Sequence, residues 1–334
     1  MIISRTPYRI SFFGGGTDYP DWYLKNGGKV LSTTFDKYCY ISLRNLPQFF
    51  SHKYRIVYSQ IESINSYDEI NHPSVREILR YFDLPNGLEI HHDGDLPARS
   101  GLGSSSSFTV GLLNAIYAFQ GLRISNYELA CLAINMEQNI IKEPVGSQDQ
   151  IAAAYGGFNK INFQKDGDFS VNRQIYDQNR ISDLNKNLML FFSGQSRYSS
   201  DVSSKKIENI KEGKNIGYLS EIESMVDESI SILGNKNKPL NSFGELLNEA
   251  WKCKKQFTGA VSNSLIDSIY KRAIEAGALG GKLLGAGGGG FIIFYVETHN
   301  QNKVKEMLRD LMHVPFKFDN KGSDIVLYQP EGFE

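Results

Sequence analysis

The sequence predicts an α+β fold with two domains. First, 334 residues exceed the size of one typical domain. Second, strand-like and helix-like segments occur in both halves without regular βαβ alternation. Third, the polar, turn-rich stretch QNRISDLNKN separates the halves near residue 180. We therefore expect domains at residues 1–180 and 181–334.

Hydrophobic periodicity and helix caps predict the elements of the first half. The expected strands cover residues 1–12, 29–45, 54–59, 88–93, 157–163 and 169–175. The expected helices cover residues 73–83, 104–120 and 126–142, with a short one from Ser147. Ser147 and Gln150 have the spacing of a capping box, which would place Asp149 in the first turn of that short helix.

The second half opens with a predicted strand at 188–194 and continues as helices through 199–276, interrupted by the turn GNKNKP at 234–239. Predicted strands at 280–284 and 291–296 flank a glycine loop. A helix at 300–312 and strands at 314–318 and 324–329 are expected to follow.

Bulk composition excludes several classes of function. The net charge of −1 provides no overall field for nucleic acid or anionic lipid, so neither is an expected partner. The charge-free segment 283–296 is short and broken by glycines, so no membrane span is expected. The alternating N-terminus, with Arg5 and Arg9 in its apolar run, is not typical of a signal peptide. A homo-oligomer is compatible with the sequence.

The three cysteines are far apart and lack the spacing of a zinc site. Cys39, Cys131 and Cys253 are therefore expected to be reduced thiols of a cytoplasmic protein rather than members of a disulfide framework.

The segment LPARSGLGSSSSF at 96–108, here called the serine loop, leads directly into a predicted helix. Glycines let the backbone approach a ligand, and amides at a helix start bind anions, above all phosphate. A lysine-dependent phosphate loop is excluded, since no lysine lies between Gly101 and Phe108, and the GxGxxG spacing is absent. A serine-rich linker with a good N-cap is the alternative. The candidate nucleotide-binding residues here are Pro97, Arg99, Ser100, Gly101, Leu102, Gly103, Ser104, Ser105 and Ser106.

Two carboxylates are candidates for phosphoryl-transfer chemistry. Glu137 points from the apolar face of its predicted helix and must be paired, protonated or metal-bound. A magnesium ion carrying a triphosphate would satisfy it, and a buried salt bridge is the alternative. Asp149, near amide dipoles, could orient or deprotonate a hydroxyl, although an Asp in a first turn is also an ordinary stabilising residue.

Three further segments could share this site. In RISFFGGGTDY at 9–19, Asp18 could accept hydrogen bonds from sugar hydroxyls, and Arg9 could neutralise a phosphoryl group or pair with Asp149. The substrate-binding candidates here also include Gly15, Gly16 and Thr17.

The loop GAGGGG at 285–290, with Gly287 and Gly288 as nucleotide-binding candidates, has more glycines than a plain hairpin needs. At 193–206, Arg197 and two lysines could grip a second phosphate or form a solvated helix face.

The three glycine-rich segments, in this order, resemble the GHMP kinase superfamily over essentially the whole chain. RISFFGGGTDYP, GSQDQIAAAYGG and SGQSRYSS are similar to the branch that phosphorylates D-glycero-D-manno-heptose 7-phosphate at the anomeric oxygen. The resemblance implies an active site in the cleft between the two domains, ATP and Mg²⁺ as cofactors, and a phosphosugar as substrate. One departure is Arg99, at a position that is usually small; it adds a phosphate contact or covers apolar surface with its stem.

The resemblance also implies roles for individual residues. Asp149 matches the catalytic aspartate, and Glu137 the magnesium ligand, with Ser105 or a neighbouring serine as the hydroxyl on the metal. Arg9 matches the arginine near the transferred phosphate, and Asp18 the sugar contact. Residues 285–290 match the motif that stabilises the nucleotide loop.

The implied reaction is an ATP-dependent sugar 1-kinase forming a heptose 1,7-bisphosphate, which feeds a nucleotide-activated heptose for surface polysaccharide. The alternatives are another anomeric sugar kinase, similar to fucokinase or galactokinase, and a non-catalytic sugar-nucleotide sensor on the same fold. The presence of both Glu137 and Asp149 favours an enzyme.

Overall fold

The structure, a computed structural model, describes residues 1–84, 87–98, 100–194 and 199–330. Within these ranges the chain forms one nine-stranded sheet and one four-stranded sheet, with helices packed against both. Nearly all strand pairs are antiparallel, so the predicted α+β class is confirmed.

The large sheet is organised around one long strand. Its strands are β1 (Ile2–Phe13), β2 (Gly28–Asn45), β3 (Tyr54–Val57), β4 (Ile61–Ile64), β5 (Leu88–Gly94), β6 (Asn159–Phe163), β7 (Phe169–Arg173), β12 (Phe318–Asp319) and β13 (Asp324–Tyr328). The main order is β13-β1-β2-β5-β3-β4, and β2 is long enough to pair also with β6 and β12. Its first part pairs with β6 and its last part with β5, so one strand joins all regions of the sheet.

The small sheet lies in the second half and has the order β11-β8-β10-β9. Its strands are β8 (Leu188–Phe192), β9 (Gly280–Leu283), β10 (Phe291–Tyr295) and β11 (Met312–Val314). β10 is buried along its whole length, and the glycine loop connects β9 to it as predicted.

The α-helices are α1 (Pro20–Asn26), α2 (Pro73–Phe82), α3 (Ser104–Phe119), α4 (Asn126–Asn135), α5 (Gln148–Tyr155), α6 (Gln178–Asn187), α7 (Ser199–Lys211), α8 (Ile216–Gly234), α9 (Asn241–Lys255), α10 (Ser264–Glu275) and α11 (Gln301–Met307). The central helix of the first half is α3, which is buried almost all round and packs on β1 and β2. A Cβ at Gly111 would lie 2.8 Å from the Thr6 hydroxyl, so only glycine allows this close approach of helix to strand. This packing fixes the start of α3, which is the serine loop.

Several predictions of local structure are wrong in detail. The stretch QNRISDLNKN, interpreted as a turn-rich boundary, is helix α6, because the Asp177 carboxylate accepts the amides of Asn179 and Arg180 and Leu184 is buried beneath. α1 and β4 were not predicted, and α11 ends at Met307 rather than near 312. The helix predicted to 142 changes at Met136–Ile140 into one π-helical turn.

The chain returns to its first sheet near its end. β13 pairs with β1, and β12 pairs with β2. The simple division at residue 180 therefore does not follow the sheets, since part of 181–334 completes the N-terminal one. A local reading of the sequence could not show this, because the pairing partners are about 280–330 residues apart in the chain.

Candidate active site

A cleft of about 390 Å³ lies between the two halves, as expected for this architecture. The N-terminal half contributes the end of β1 and the loop after it, the start of α3 and the start of α5. The C-terminal half contributes α7, α9, β9 and the glycine loop. This volume is within the range of small-molecule sites.

The serine loop enters the cleft with its backbone. Gly103 occupies the N-cap of α3 in a left-handed conformation (φ 77°), and Gly101 is also left-handed (φ 83°). Both line the cleft, together with Ser104, Ser105 and Ser106. The first amides of α3 therefore face the cavity, where a phosphate would meet both N–H donors and the positive end of the helix dipole.

The other predicted residues of the loop support it from below or lie outside it. Ser100 and Leu102 are fully buried, and their carbonyls accept the amides of Phe291 and Arg9. Pro97 is exposed and does not line the cleft. Arg99 lies outside the described residues.

The glycine loop packs directly on the serine loop. A Cβ at Gly101 would lie 2.6 Å from the Leu284 carbonyl oxygen, and one at Gly285 would meet the Gly101 backbone. Gly285 reaches the cleft, whereas Gly287 packs against the Val261 backbone and the Gly288 amide donates to the Val261 carbonyl. Gly287 and Gly288 thus shape the loop rather than line the cavity.

Arg9 and Asp149 form a two-point ion pair at the centre of the site. Arg9 Nε donates to Asp149 Oδ1 at 2.7 Å, and Nη2 donates to Oδ2 at 2.6 Å. Arg9 Nη1 donates to the Gly101 carbonyl at 2.8 Å, and the arginine is only 4% exposed. Asp149 stands in the first turn of α5, as predicted, with its side chain 24% exposed. One guanidinium therefore fixes both the carboxylate and the serine loop.

Glu137 lies within the π-helical turn and is 1% exposed. Its Oε2 accepts hydrogen bonds from Ser106 Oγ (2.9 Å) and Gln150 Nε2. The Thr109 side chain also favours the charged form of Glu137, but among the described residues no donor meets Oε1 with hydrogen-bond geometry. Burial, reinforced by the negative charge of Glu143, raises the pKa of Glu137 to about 8. The salt-bridge alternative is not observed in the part of the chain that the structure describes.

The donors around Glu137 fit a magnesium ion shared with phosphates. A buried carboxylate oxygen without a hydrogen bond and a serine hydroxyl at 2.9 Å from its partner oxygen are hard oxygen ligands, as Mg²⁺ prefers. No group of three or more His, Cys, Asp or Glu residues converges among the described positions. The hydroxyl that contacts Glu137 belongs to Ser106; the predicted Ser105 is exposed one position earlier.

Asp18 is buried beside the cleft and oriented by two hydrogen bonds. The Gly16 amide donates to Oδ1 at 2.7 Å, and Gln148 Nε2 donates to Oδ2 at 2.9 Å. Burial raises its pKa, and the nearby Lys206 ammonium opposes that rise. Gly15 and Gly16 line the cleft with Asp18, whereas the Thr17 hydroxyl is directed at the carbonyls of Gly14 and Lys29 and is structural.

The predicted capping box at α5 is wrong. Ser147 Oγ makes no cap hydrogen bond and instead accepts one from Gln138, while Gln150 donates to Glu137. Ser147 and Gln150 both form hydrogen bonds with the π-helical turn Met136–Ile140. They therefore connect α5 to the candidate metal ligand Glu137 instead of capping the helix.

The sequence reasoning missed three buried lysines in the cleft wall: Lys206, Lys254 and Lys282. Lys206 was recognised only as one of two lysines near Arg197. Arg197 itself lies outside the described residues. Lys254 follows the apolar positions 247, 250 and 251 at helical spacing, and Lys282 interrupts an apolar strand. A lysine within an apolar helix face or an apolar strand was the signal that could have found Lys254 and Lys282 in the sequence.

Comparisons with known proteins agree with this fold. The sequence profile "GHMP kinases N terminal domain" matches residues 71–157, and "GHMP kinases C terminal" matches residues 232–314. The D-glycero-alpha-D-manno-heptose 7-phosphate kinase of Campylobacter jejuni is 29% identical, with 96% of this chain and 97% of that protein covered. The galactokinase of Pyrococcus furiosus is 25% identical over 99% and 98% of the two chains.

Among solved structures, a D-glycero-D-manno-heptose 1-phosphate kinase from Bacteroides thetaiotaomicron superposes with a TM-score of 0.77 at 25% identity, covering 97% of this chain and 98% of the other. Within the described ranges no helix has the length and apolarity to cross a membrane. The two matching profiles, the two-domain fold and the cleft between its halves together show that the chain is a kinase of the GHMP family.

Proposed function

We propose that this chain transfers the γ-phosphate of ATP to the anomeric hydroxyl of D-glycero-D-manno-heptose 7-phosphate, giving the 1,7-bisphosphate. The observation that carries the reaction type is the Arg9–Asp149 pair, which sits between the phosphate-facing amides of α3 and the polar group around Asp18. The substrate class rests on similarity to the Campylobacter jejuni kinase over nearly the full chain.

Each residue of the proposed site has one physical task. The α3 amides and the hydroxyls of Ser104 and Ser105 would hold the triphosphate. Asp149, fixed at both oxygens by Arg9, would accept the proton of the attacking hydroxyl or aim it in line with the γ-phosphate. Asp18, held by Gly16 and Gln148, would accept hydrogen bonds from sugar hydroxyls.

Glu137 and Ser106 would hold Mg²⁺, with Ser105 as the next hydroxyl in the loop. When bound, the ion neutralises phosphate charge. Arg9 retains N–H groups beyond those given to Asp149 and Gly101, so it can also face the transferred phosphoryl group. We place this reaction in the cytoplasm, with the phosphosugar and ATP as partners and a homo-oligomer as an open assembly state.

An ADP-release screen over free and phosphorylated hexoses and heptoses tests the proposal. We expect turnover with heptose 7-phosphate and a new anomeric phosphate signal in the ³¹P NMR spectrum of the product. Turnover with free fucose or galactose alone would instead support the second candidate, an anomeric kinase of unphosphorylated sugars, which the similarity to a galactokinase favours. No ADP release with any sugar would support a sugar-nucleotide sensor.

A further inference from the structure

Three lysines from the C-terminal half line the cleft that Asp149 and the serine loop also line. Lys206 is on α7, Lys254 on α9 and Lys282 on β9, and all three line the cavity. They are 8%, 8% and 6% exposed, respectively. Lysines are seldom buried to this extent without a partner of opposite charge, so their placement calls for a ligand.

The direct contacts of these lysines in the protein are with uncharged groups. Lys254 Nζ donates to the carbonyls of Leu283 (2.7 Å) and Gly285, and Lys282 Nζ donates to the carbonyl of Phe12 (2.7 Å). Lys206 Nζ lies 4.9 Å from the ring centres of both Tyr19 and Phe257 and makes no hydrogen bond within the described residues. An ammonium group has three N–H donors, so each of these lysines keeps at least one donor for a ligand.

The charges around the cluster are unbalanced. Arg9 is matched by Asp149, and both Asp18 and Asp149 attract Lys206. The charges with the largest effects on Lys254 and Lys282 are all cationic, and burial with this repulsion lowers the pKa of Lys254 well below its usual range and that of Lys282 to about 7. Glu143 also lines the cleft and acts on the nearby Glu137. A dianion placed among the three lysines would relieve this repulsion.

We propose that Lys206, Lys254 and Lys282 form a subsite for a phosphate monoester dianion. Resting on the proposed kinase activity, this subsite has two possible occupants: the terminal phosphate of the nucleotide, or the phosphate already present on a sugar acceptor. Lys282 also ties β9 to β1 through the Phe12 carbonyl, so the subsite spans the junction of the two halves. Its occupant would therefore contact both sides of the cleft.

The substitution Lys206→Met tests the subsite with little structural cost, because methionine keeps the stem between the two rings and removes only the charge. The matched control is Lys205→Met, one residue earlier and exposed. If the occupant is the acceptor's phosphate, K206M raises KM for the phosphorylated sugar at least 10-fold more than KM for the free sugar, which loses only the effect of Lys206 on Asp18, and leaves the Kd of ATP unchanged. If it is the nucleotide's terminal phosphate, the Kd of ATP rises at least 10-fold while that of ADP is unchanged. Changes under twofold in all four constants overturn the proposal.

Lys254→Met and Lys282→Met also remove carbonyl hydrogen bonds, so a second measurement uses the unaltered protein. Reductive methylation at neutral pH, read by peptide mass spectrometry, is run with and without inorganic phosphate and tripolyphosphate. We expect at least fivefold protection of the three lysines by one of these anions, with none at exposed Lys205 and Lys252. Equal labelling with and without both anions contradicts the subsite.

The two proposals fail separately. Protection of the lysines in a protein that phosphorylates no heptose phosphate would leave the subsite standing and remove the proposed substrate. If the protein phosphorylates heptose phosphate but its lysines are not protected and K206M is unaffected, the proposed function stands and the subsite is removed.

Discussion

Replacing Asp149 with asparagine tests the proposed chemistry most directly, because it removes the charge and the proton acceptor while keeping the shape. Loss of a positioned general base lowers a rate by about 10²–10⁴, which corresponds to roughly 3–5 kcal/mol of transition-state stabilisation. Arg9 donates to both carboxylate oxygens, and an amide offers only one acceptor. The variant therefore also loses folding stability, on the order of 1–3 kcal/mol for a charge-assisted hydrogen bond, reduced by the partial exposure of Asp149.

The assay is a coupled measurement of ADP release with saturating ATP, accompanied by calorimetric titration of nucleotide and a thermal melt. We expect turnover to fall at least 100-fold while the Kd of nucleotide changes less than threefold, because no nucleotide contact is assigned to Asp149. The matched control is Asp267→Asn, an exposed aspartate in the first turn of α10. Near-normal turnover in D149N, or a loss of nucleotide binding as large as the loss of turnover, would refute the assigned role.

Three further predictions concern the support of the site. Glu137 has a pKa of about 8, raised above its unfolded value, so it contributes stability at low pH that is lost as pH rises towards 8. The variant Glu137→Gln does not lose this stability, so its melting temperature minus that of the native protein should rise between pH 5 and pH 8. A melting-temperature difference that stays constant over this range would contradict the burial argument. Ser106→Ala should raise the Mg²⁺ concentration for half-maximal activity at least 10-fold, because Ser106 contacts Glu137. Ser105→Ala should have a smaller effect. Equal effects of the two substitutions would place the metal elsewhere in the loop. Gly285→Ala should lower the melting temperature and raise KM for ATP at least 10-fold, since its Cβ would meet the serine loop, whereas Gly217→Ala in α8, with open space around it, should do neither.

The parts of the site that the sequence predicted are those with local signals. The serine loop was predicted because glycine and serine act through their own backbone and hydroxyls, and the loop does begin α3. Glu137 was singled out because a carboxylate on an apolar helical face violates a local rule, and it is buried. Asp149 was placed by its position in a helical turn, although the reason given, a capping box, was wrong.

The parts that were missed depend on contacts between distant segments. Helix α6 has a polar sequence with one buried leucine, so hydrophobic periodicity gave it no support. The return of β12 and β13 to the first sheet depends on edges that exist only after β1 and β2 have paired. Lys254 and Lys282 come from different elements and meet in the folded protein, where the carbonyls of Gly285 and Phe12 hold them.

The distribution of charge across the cleft explains why both halves are needed for one reaction. The carboxylates of Asp18 and Asp149 that would handle hydroxyl groups belong to the N-terminal half, together with the amides of α3. The three buried lysines belong to the C-terminal half, and Lys282 reaches across to β1. A phosphosugar is polar and neutral at its hydroxyls and anionic at its phosphate, so its two ends require opposite surroundings. A cleft with carboxylates on one wall and ammonium groups on the other can supply both. If the lysine subsite holds the acceptor's phosphate, the lysine variants impair the phosphorylated sugar more than the free sugar, whereas Asp149→Asn impairs both.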